Sequence, residues 1–451
     1  MSRVHVLTLG CPKSQVDAEV MLGVLARAGH ELVADPEQAD VLVVNTCAFI
    51  GPAKEESIDA VLDAARVKAG RAGRKLVVSG CLAQRYADEL RAGLPEVDAF
   101  VGTGDLTRIA EAVAAPGGSE PVVYRGAQHE LPAHGVSPRI RTGAWWTAYL
   151  KVSEGCDHTC SFCIIPKIRG RHESRPMADV LAEATALAAE GTIELNLIAQ
   201  DLTAYGRDRR DGTTLAALLQ ALARRVPGLR WIRLLYAYPS SVTDELLAVL
   251  ASEPAVTRYL DMPLQHVSDG VLRAMRRERS GSAIRALVRR IRAAVPGIAL
   301  RSAFIVGFPG ETERDVDELC AFLEEVALEH VGVFRYSREE GTRAAALPGH
   351  VSEKVKRKRW ERVMATQARV AARTAAAQVG RTVEVLVEAE GENGWLVGRT
   401  SQQAPEIDGT IRLRGPAAPG DLVRAVVTAA DTYDLAGEVL ACEVDSRVAC
   451  P

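Results

Sequence analysis

Cys11, Cys47 and Cys81 each stand one or two residues beyond a short, Val/Leu-rich run: Val4–Leu9, Val41–Asn45 and Lys75–Ser79. Such runs have the character of parallel strands buried on both faces. Between them, Val16, Val20, Met21, Val24, Leu25 and Ala28 recur at helical spacing, as do Ile58, Val61, Leu62 and Ala65. The alternation predicts a mostly parallel sheet covered by helices. The cysteines are 36 and 34 residues apart, about one crossover unit each. Ligands of open α/β sheets bind beyond the carboxyl ends of the strands, so three such strands would bring three thiols to one rim. Three unrelated core cysteines are the alternative.

The 451 residues suggest about three domains, and 47% hydrophobic with 25% charged residues is an ordinary globular composition. A net charge of −3 argues against a generic polyanion binder. The N-terminus resembles a strand, not a leader, and no apolar run approaches the ~20 residues a bilayer span needs. A cytoplasmic, reduced setting is expected, where clustered cysteines mean metals or redox chemistry more often than disulfides.

A Pro/Gly-rich stretch over 117–143 reads as a linker. Beyond it, six strand candidates (Thr147–Val152, Ile193–Ala199, Trp231–Tyr236, Arg258–Met262, Ile298–Val306 and Val331–Tyr336) alternate with helical stretches such as Met177–Glu190, Leu215–Arg225 and Asp315–Val326. Six βα units are too few to close an eight-stranded barrel, so a partial barrel is predicted, with its active face after the strands. Residues 351–375 form a basic helical connector that reads as a solvated face. From Thr382 the period changes to two, with turns at Asn393-Gly394 and Asp408-Gly409, which predicts a small antiparallel barrel. The proposed units are therefore 1–116, 144–374 and 375–445.

The first of the barrel strands runs into Cys156-Asp157-His158-Thr159-Cys160-Ser161-Phe162-Cys163, a C-x₃-C-x₂-C loop. A zinc knuckle or a redox thiol set are alternatives. Structural zinc wants four ligands, however, and His158 is crowded between Cys156 and Cys160. Three thiolates on a cubane of four irons leave one iron open, which suits a catalytic iron–sulfur cluster.

With an aromatic residue, Phe162, before its last cysteine, this loop resembles the radical S-adenosylmethionine superfamily. Together with the first cysteine set and the terminal barrel, the whole chain is similar to the methylthiotransferases. The resemblance implies a flavodoxin-like N-terminal domain, a partial (βα)6 radical core and a C-terminal TRAM barrel. It implies two [4Fe–4S] clusters, one on Cys156, Cys160 and Cys163, the other on Cys11, Cys47 and Cys81. S-adenosylmethionine would serve as radical source and methyl donor, because an unactivated C–H bond is too weak an acid for a side-chain base. Gln200, Asp201, Gln265 and Arg301 are its candidate contacts, with a structural hydrogen-bonding role the alternative for each. A reductant such as flavodoxin or ferredoxin, no membrane and a monomeric enzyme are expected.

Leu9-Gly10-Cys11-Pro12-Lys13, Asn45-Thr46-Cys47-Ala48-Phe49-Ile50, Ile198-Ala199-Gln200-Asp201, Leu264-Gln265-His266 and Glu339-Glu340-Gly341-Thr342 resemble the branch that modifies an aspartate of small-subunit ribosomal protein twelve. The branch acting on tRNA adenosine is the alternative, and a non-catalytic electron carrier is the different-class one. Ser14-Gln15 and Ala18 depart from the branch's usual residues. Between 375 and 445 twelve acidic side chains face five basic ones. That balance would repel RNA and attract a basic protein, although it also suits a solubilising surface. Cys320 reads as core, and Cys442 and Cys450 have no matching context.

Overall fold

The computed structural model describes residues 1–115, 120–126, 138–277 and 280–440. Most of the expected linker lies outside these residues, as do 441–445, Cys442 and Cys450. The expected α/β architecture with a terminal barrel is borne out.

Six parallel strands form the first sheet, in the order Glu31–Leu32, Arg3–Thr8, Val41–Thr46, Lys75–Gly80, Ala99–Val101, Val122–Tyr124. Every residue of Val41–Thr46 is buried, as a central strand covered on both faces requires. The chain order along the sheet reverses between Arg3–Thr8 and Val41–Thr46, the arrangement of flavodoxin-like folds. Cys11 and Cys47 follow these two strands. Cys81 follows Lys75–Gly80, and the remaining three strands have two or three residues each, too few to show a period in the sequence.

The second sheet is also six-stranded and parallel: His330–Arg335, Ala299–Val306, Val256–Asp261, Trp231–Leu234, Glu194–Ile198, Thr147–Lys151. Leu197, Leu234, Leu260 and Phe304 pack outward on Leu218, Leu219, Leu250, Leu287 and Phe322 of the covering helices. Cys320 packs, half-buried, against the same core.

The basic connector keeps its expected solvated face at Lys354, Arg357, Lys358, Arg362, Arg369 and Arg373, while Lys356 and Arg359 are buried. Helix Glu353–Ala376 lies along Glu313–Val326, with Arg359 holding Glu311 and Glu313, Arg362 holding Asp317, and Arg369 and Arg373 holding Glu324. Its charge is matched by the acidic helix beside it.

The C-terminal domain is a closed barrel of five strands. Strand directions cannot alternate around a ring of odd number, so one seam must be parallel. It is Ile411–Arg414 against Leu435–Val439, where the sequence pattern suggested antiparallel pairing throughout. This barrel docks beneath the central sheet, at the strands' N-terminal ends. Arg399 and Arg233 share the buried carboxylate of Glu194, Trp231 donates to Glu384 (2.8 Å), and Asp408 accepts from Tyr259 (2.7 Å).

Candidate active site

The three N-terminal cysteines converge because the strand ends that carry them can approach closely. At Gly10 (φ +102°) a Cβ would lie 3.1 Å from Cys47 Cβ, and at Gly80 (φ +93°) it would lie 2.5 Å from Asn45 Oδ1. Asn45 Nδ2 donates to Ser14 O (2.8 Å), tying the second strand end to the first helix. Ser57 Oγ accepts from Cys47 N and donates to Cys47 O. Cys11 caps helix Pro12–Arg27 and Cys81 opens helix Cys81–Gly93, so two helix N-termini favour negative charge here.

Burial opposes ionisation of Cys11, but Lys13 and Arg169 outweigh it and hold the thiol below its ordinary value. Burial raises Cys47, and raises Cys81 to about 11 against the pull of Arg169. The three thiols feel one another's charge as well as that of Arg169, which marks them as one group. Among the described residues, no three His, Cys, Asp or Glu side chains converge tightly enough to hold a single ion. A cubane spreads its thiolates over different irons, so the donor set suits a cluster better than zinc.

The second set is one loop at the carboxyl end of Thr147–Lys151. Gly155 (φ +75°) starts it, and a Cβ there would collide with Arg171 O at 1.8 Å. Cys156 N donates to Gly170 O (3.0 Å) and Ser161 N to Met275 O (2.9 Å). Burial raises Cys156 and Cys163 to about 12. His158 is engaged in the fold, stacked on Tyr238 at 3.5 Å with Nε2 2.6 Å from Asp201 Oδ2. Arg277 covers the other side of Tyr238, 4.1 Å from its centroid, and Nη1 lies 3.6 Å from Cys160 Sγ.

The remaining sequence-derived candidates divide. Gln200 Nε2 donates to Glu154, while its buried Oε1 has no partner among the described residues, an acceptor suited to a ligand's ammonium. Asp201 carries His158 and caps the turn at Thr203. Gln265 follows Val256–Asp261 with φ +73°, a strained backbone of the kind found at functional sites. Arg301 sits deeper, paired with Asp261 (3.0 Å) and with Asp408 from the terminal barrel (3.4 Å).

A buried charge network that the sequence reading missed joins the two cysteine sets. Arg169 Nη2 donates to Cys81 Sγ (3.3 Å) and pairs with Asp17 (2.9 Å), while Nη1 pairs with Glu154 (3.1 Å), two residues before Cys156. Lys151 pairs with the same Asp17 (2.6 Å) and Glu154 (2.7 Å). The available signal was a lysine and a glutamate within an otherwise apolar strand end. A second junction is Glu339, which holds Lys54 (2.8 Å) and Arg85 (3.0 Å) of the N-terminal domain.

The fold, the cysteine loop at the strand ends and the adjoining second cysteine set define a radical S-adenosylmethionine protein with an auxiliary domain. Family models agree: Uncharacterized protein family UPF0004 over residues 3–102, Radical SAM superfamily over 150–323 and TRAM domain over 379–440. The chain is 52% identical over 453 residues to the ribosomal protein uS12 methylthiotransferase RimO of Anaeromyxobacter sp. (strain K), covering 100% of this chain and 96% of that one. It is 48% identical to the protein of that name from Myxococcus xanthus (strain DK1622), covering 97% and 91%. The chain belongs to the RimO family of methylthiotransferases. In fold it is similar to the radical S-adenosylmethionine methyltransferase TsrM from Kitasatospora setae, at TM-score 0.55 and 18% identity over 74% of this chain and 75% of that one. The cobalamin-dependent S-adenosylmethionine radical enzyme OxsB is similar at TM-score 0.52 and 12% identity, over 82% and 56%.

Proposed function

We propose that this chain adds a methylthio group to the β-carbon of an aspartate in ribosomal protein uS12. What carries the reading is family membership at 52% identity along the entire chain. Two convergent cysteine sets joined by one charge network support it. In this reading Cys156, Cys160 and Cys163 ligate one [4Fe–4S] cluster, and Cys11, Cys47 and Cys81 the other. When bound, the two clusters and S-adenosylmethionine supply the radical, the sulfur and the methyl group.

The chain's own residues then have defined work. Arg169 donates to the Cys81 sulfur and stabilises negative charge on it. Arg277 does the same at Cys160, and the His158–Asp201 pair holds the loop against Tyr238. Gln200 is positioned to accept from the ammonium of S-adenosylmethionine, with Gln265 facing the same strand-end rim. Arg301 is the weakest of the four candidate contacts, since Asp261 and Asp408 already hold its guanidinium.

The acidic terminal barrel attracts the basic substrate protein at a distance. It lies at the opposite end of the strands from the cysteines; Glu384 and Asp408 serve its docking, while Glu388 holds Arg399 within the barrel. We place the chain in the cytoplasm as a monomer reduced by a flavodoxin or ferredoxin; no described helix is long and apolar enough to cross a membrane. The domain division 1–116, 144–374 and 375–445 completes the reading. The test is incubation of the anaerobically reconstituted protein with uS12 and, separately, with tRNA. A methylthio mass gain on uS12 is expected, and a gain on tRNA alone would overturn the assignment.

A further inference from the structure

Ser161 lies between Cys160 and Cys163, and two short segments clasp it from outside. Its N–H donates to Met275 O (2.9 Å) and its hydroxyl to Ala274 O (2.8 Å), while its carbonyl accepts from Ala344 N (2.8 Å). The loop is close to the surface here, with Thr159 exposed and Cys160 and Cys163 half-buried. Arg273 and Arg276 flank Ala274 and Met275, and Arg343 precedes Ala344. Arg338 Nε donates to Ala345 O (3.0 Å) on the second segment. All four arginines are exposed, and none is ion-paired among the described residues. Lys167, also exposed, donates to Gly341 O (2.8 Å) beside them. Of the two acids on residues 273–277 and 338–345, Glu339 is buried against Lys54 and Arg85, which leaves Glu340 as the one exposed carboxylate.

Two features set this group apart from an ordinary solvated face. Along the connector helix the exposed Arg362, Arg369 and Arg373 each hold a carboxylate, whereas these four do not. Arg276 also has φ +57°, directly after the C-cap Met275 of helix Asp269–Ala274, a position that glycine fills without strain. An arginine kept there at a backbone cost is a sign that its side chain is used. Its charge is permanent at any physiological pH. The chain as a whole carries −3, so an acidic protein is drawn to this patch and repelled by acidic surfaces such as the terminal barrel.

We propose that this arginine rim is the docking surface for the reductant, a small acidic one-electron carrier. The inference rests on the flavodoxin-or-ferredoxin reading above and gives that partner its place. The carrier's reduced flavin or iron–sulfur group is oxidised by one electron, which the site of Cys156, Cys160 and Cys163 takes up, and no atom changes hands. Electron-transfer partners bind through small, weak, salt-sensitive contacts, so a ring of unpaired charge without an apolar groove suits them.

The experiment uses the reconstituted protein with a purified flavodoxin and, in a separate arm, a purified ferredoxin. Calorimetry gives the Kd of each, and formation of 5′-deoxyadenosine is driven either by the reduced carrier or by dithionite. At least one carrier is expected to bind, more weakly as salt is added. Arg273→Glu/Arg343→Glu should weaken that binding about tenfold and slow the carrier-driven reaction, with the dithionite-driven reaction unchanged. Arg276→Gly should be at least as stable as the unaltered protein and still bind about threefold more weakly. Arg412→Glu/Arg414→Glu, the same change of charge on exposed residues of the terminal barrel, should leave the Kd as it was. Unchanged binding in either rim variant, equal weakening in both double variants, or loss of the dithionite-driven reaction at the rim would overturn the proposal. So would an RNA oligonucleotide that bound the rim while neither carrier did. Failure of the reductant reading looks different: dithionite would drive the reaction while neither carrier bound or drove it, and the docking surface would fall with that reading.

Discussion

The two cysteine sets reach similar chemistry by opposite routes. Cys156, Cys160 and Cys163 occupy eight consecutive residues, and a turn within the loop (Cys163 N to Cys160 O, 3.1 Å), Gly155 at its neck and backbone bonds to Gly170 and Met275 shape the site. Cys11, Cys47 and Cys81 come from three strand ends and depend on the sheet, two glycines and a network shared with the neighbouring domain. A contiguous motif carries much of its geometry locally. A scattered one inherits geometry from tertiary structure and should be the more sensitive to changes far from it.

The sharpest way to break that comparison is to remove one thiolate from each set. Cys163→Ala should abolish formation of 5′-deoxyadenosine from S-adenosylmethionine while keeping about half of the roughly eight irons of the intact protein. Cys47→Ala should halve the iron likewise, yet still cleave S-adenosylmethionine and yield no methylthiolated uS12. If Cys47→Ala made product at the normal rate, the auxiliary role of the first set would be wrong.

Smaller effects should follow at the junction between domains. Glu339 is buried between Lys54 and Arg85, and removing one partner of a buried ion pair costs on the order of 3 kcal/mol. Glu339→Gln is expected to loosen the N-terminal domain, seen as faster hydrogen exchange in helix Gly51–Ala69. It should slow methylthiolation more than S-adenosylmethionine cleavage. Equal slowing of both would mean that the scattered set is no more dependent on the junction than the loop is.

The least effect at ordinary pH concerns the far end of the barrel. Burial opposes ionisation of Glu194, yet Arg399 and Arg233 hold its carboxyl down at about 2. A lowered native pKa stabilises the fold above the unfolded value of about 4.3 and loses that contribution as pH falls toward 2, roughly 3 kcal/mol in all. Trp231 fluorescence, reporting its bond to Glu384, should be flat from neutral pH down to about 5 and change below it. Glu194→Gln should remove that acid dependence.

Much of this molecule was legible in its residues. The strands that carry all six cysteines are long, apolar and closely bounded, so hydrophobic period located them to within a few residues. The rim placement of the cysteines followed from general rules of parallel sheets. Glu31–Leu32, Ala99–Val101 and Val122–Tyr124 were illegible because two or three residues show no period. The connector's basic face is solvated as its residues suggest, but its pairing was illegible because the acidic partners lie about 45 positions earlier in the chain.

Residue order by itself determined the architecture and the two thiol sets, since periodicity and spacing are local properties that survive without a fold. Only the tertiary structure decided that Arg169 links the two sets and that Arg301 answers to Asp408. Ion pairing and burial depend on distances between residues remote in sequence, and those distances exist only once the sheets have packed.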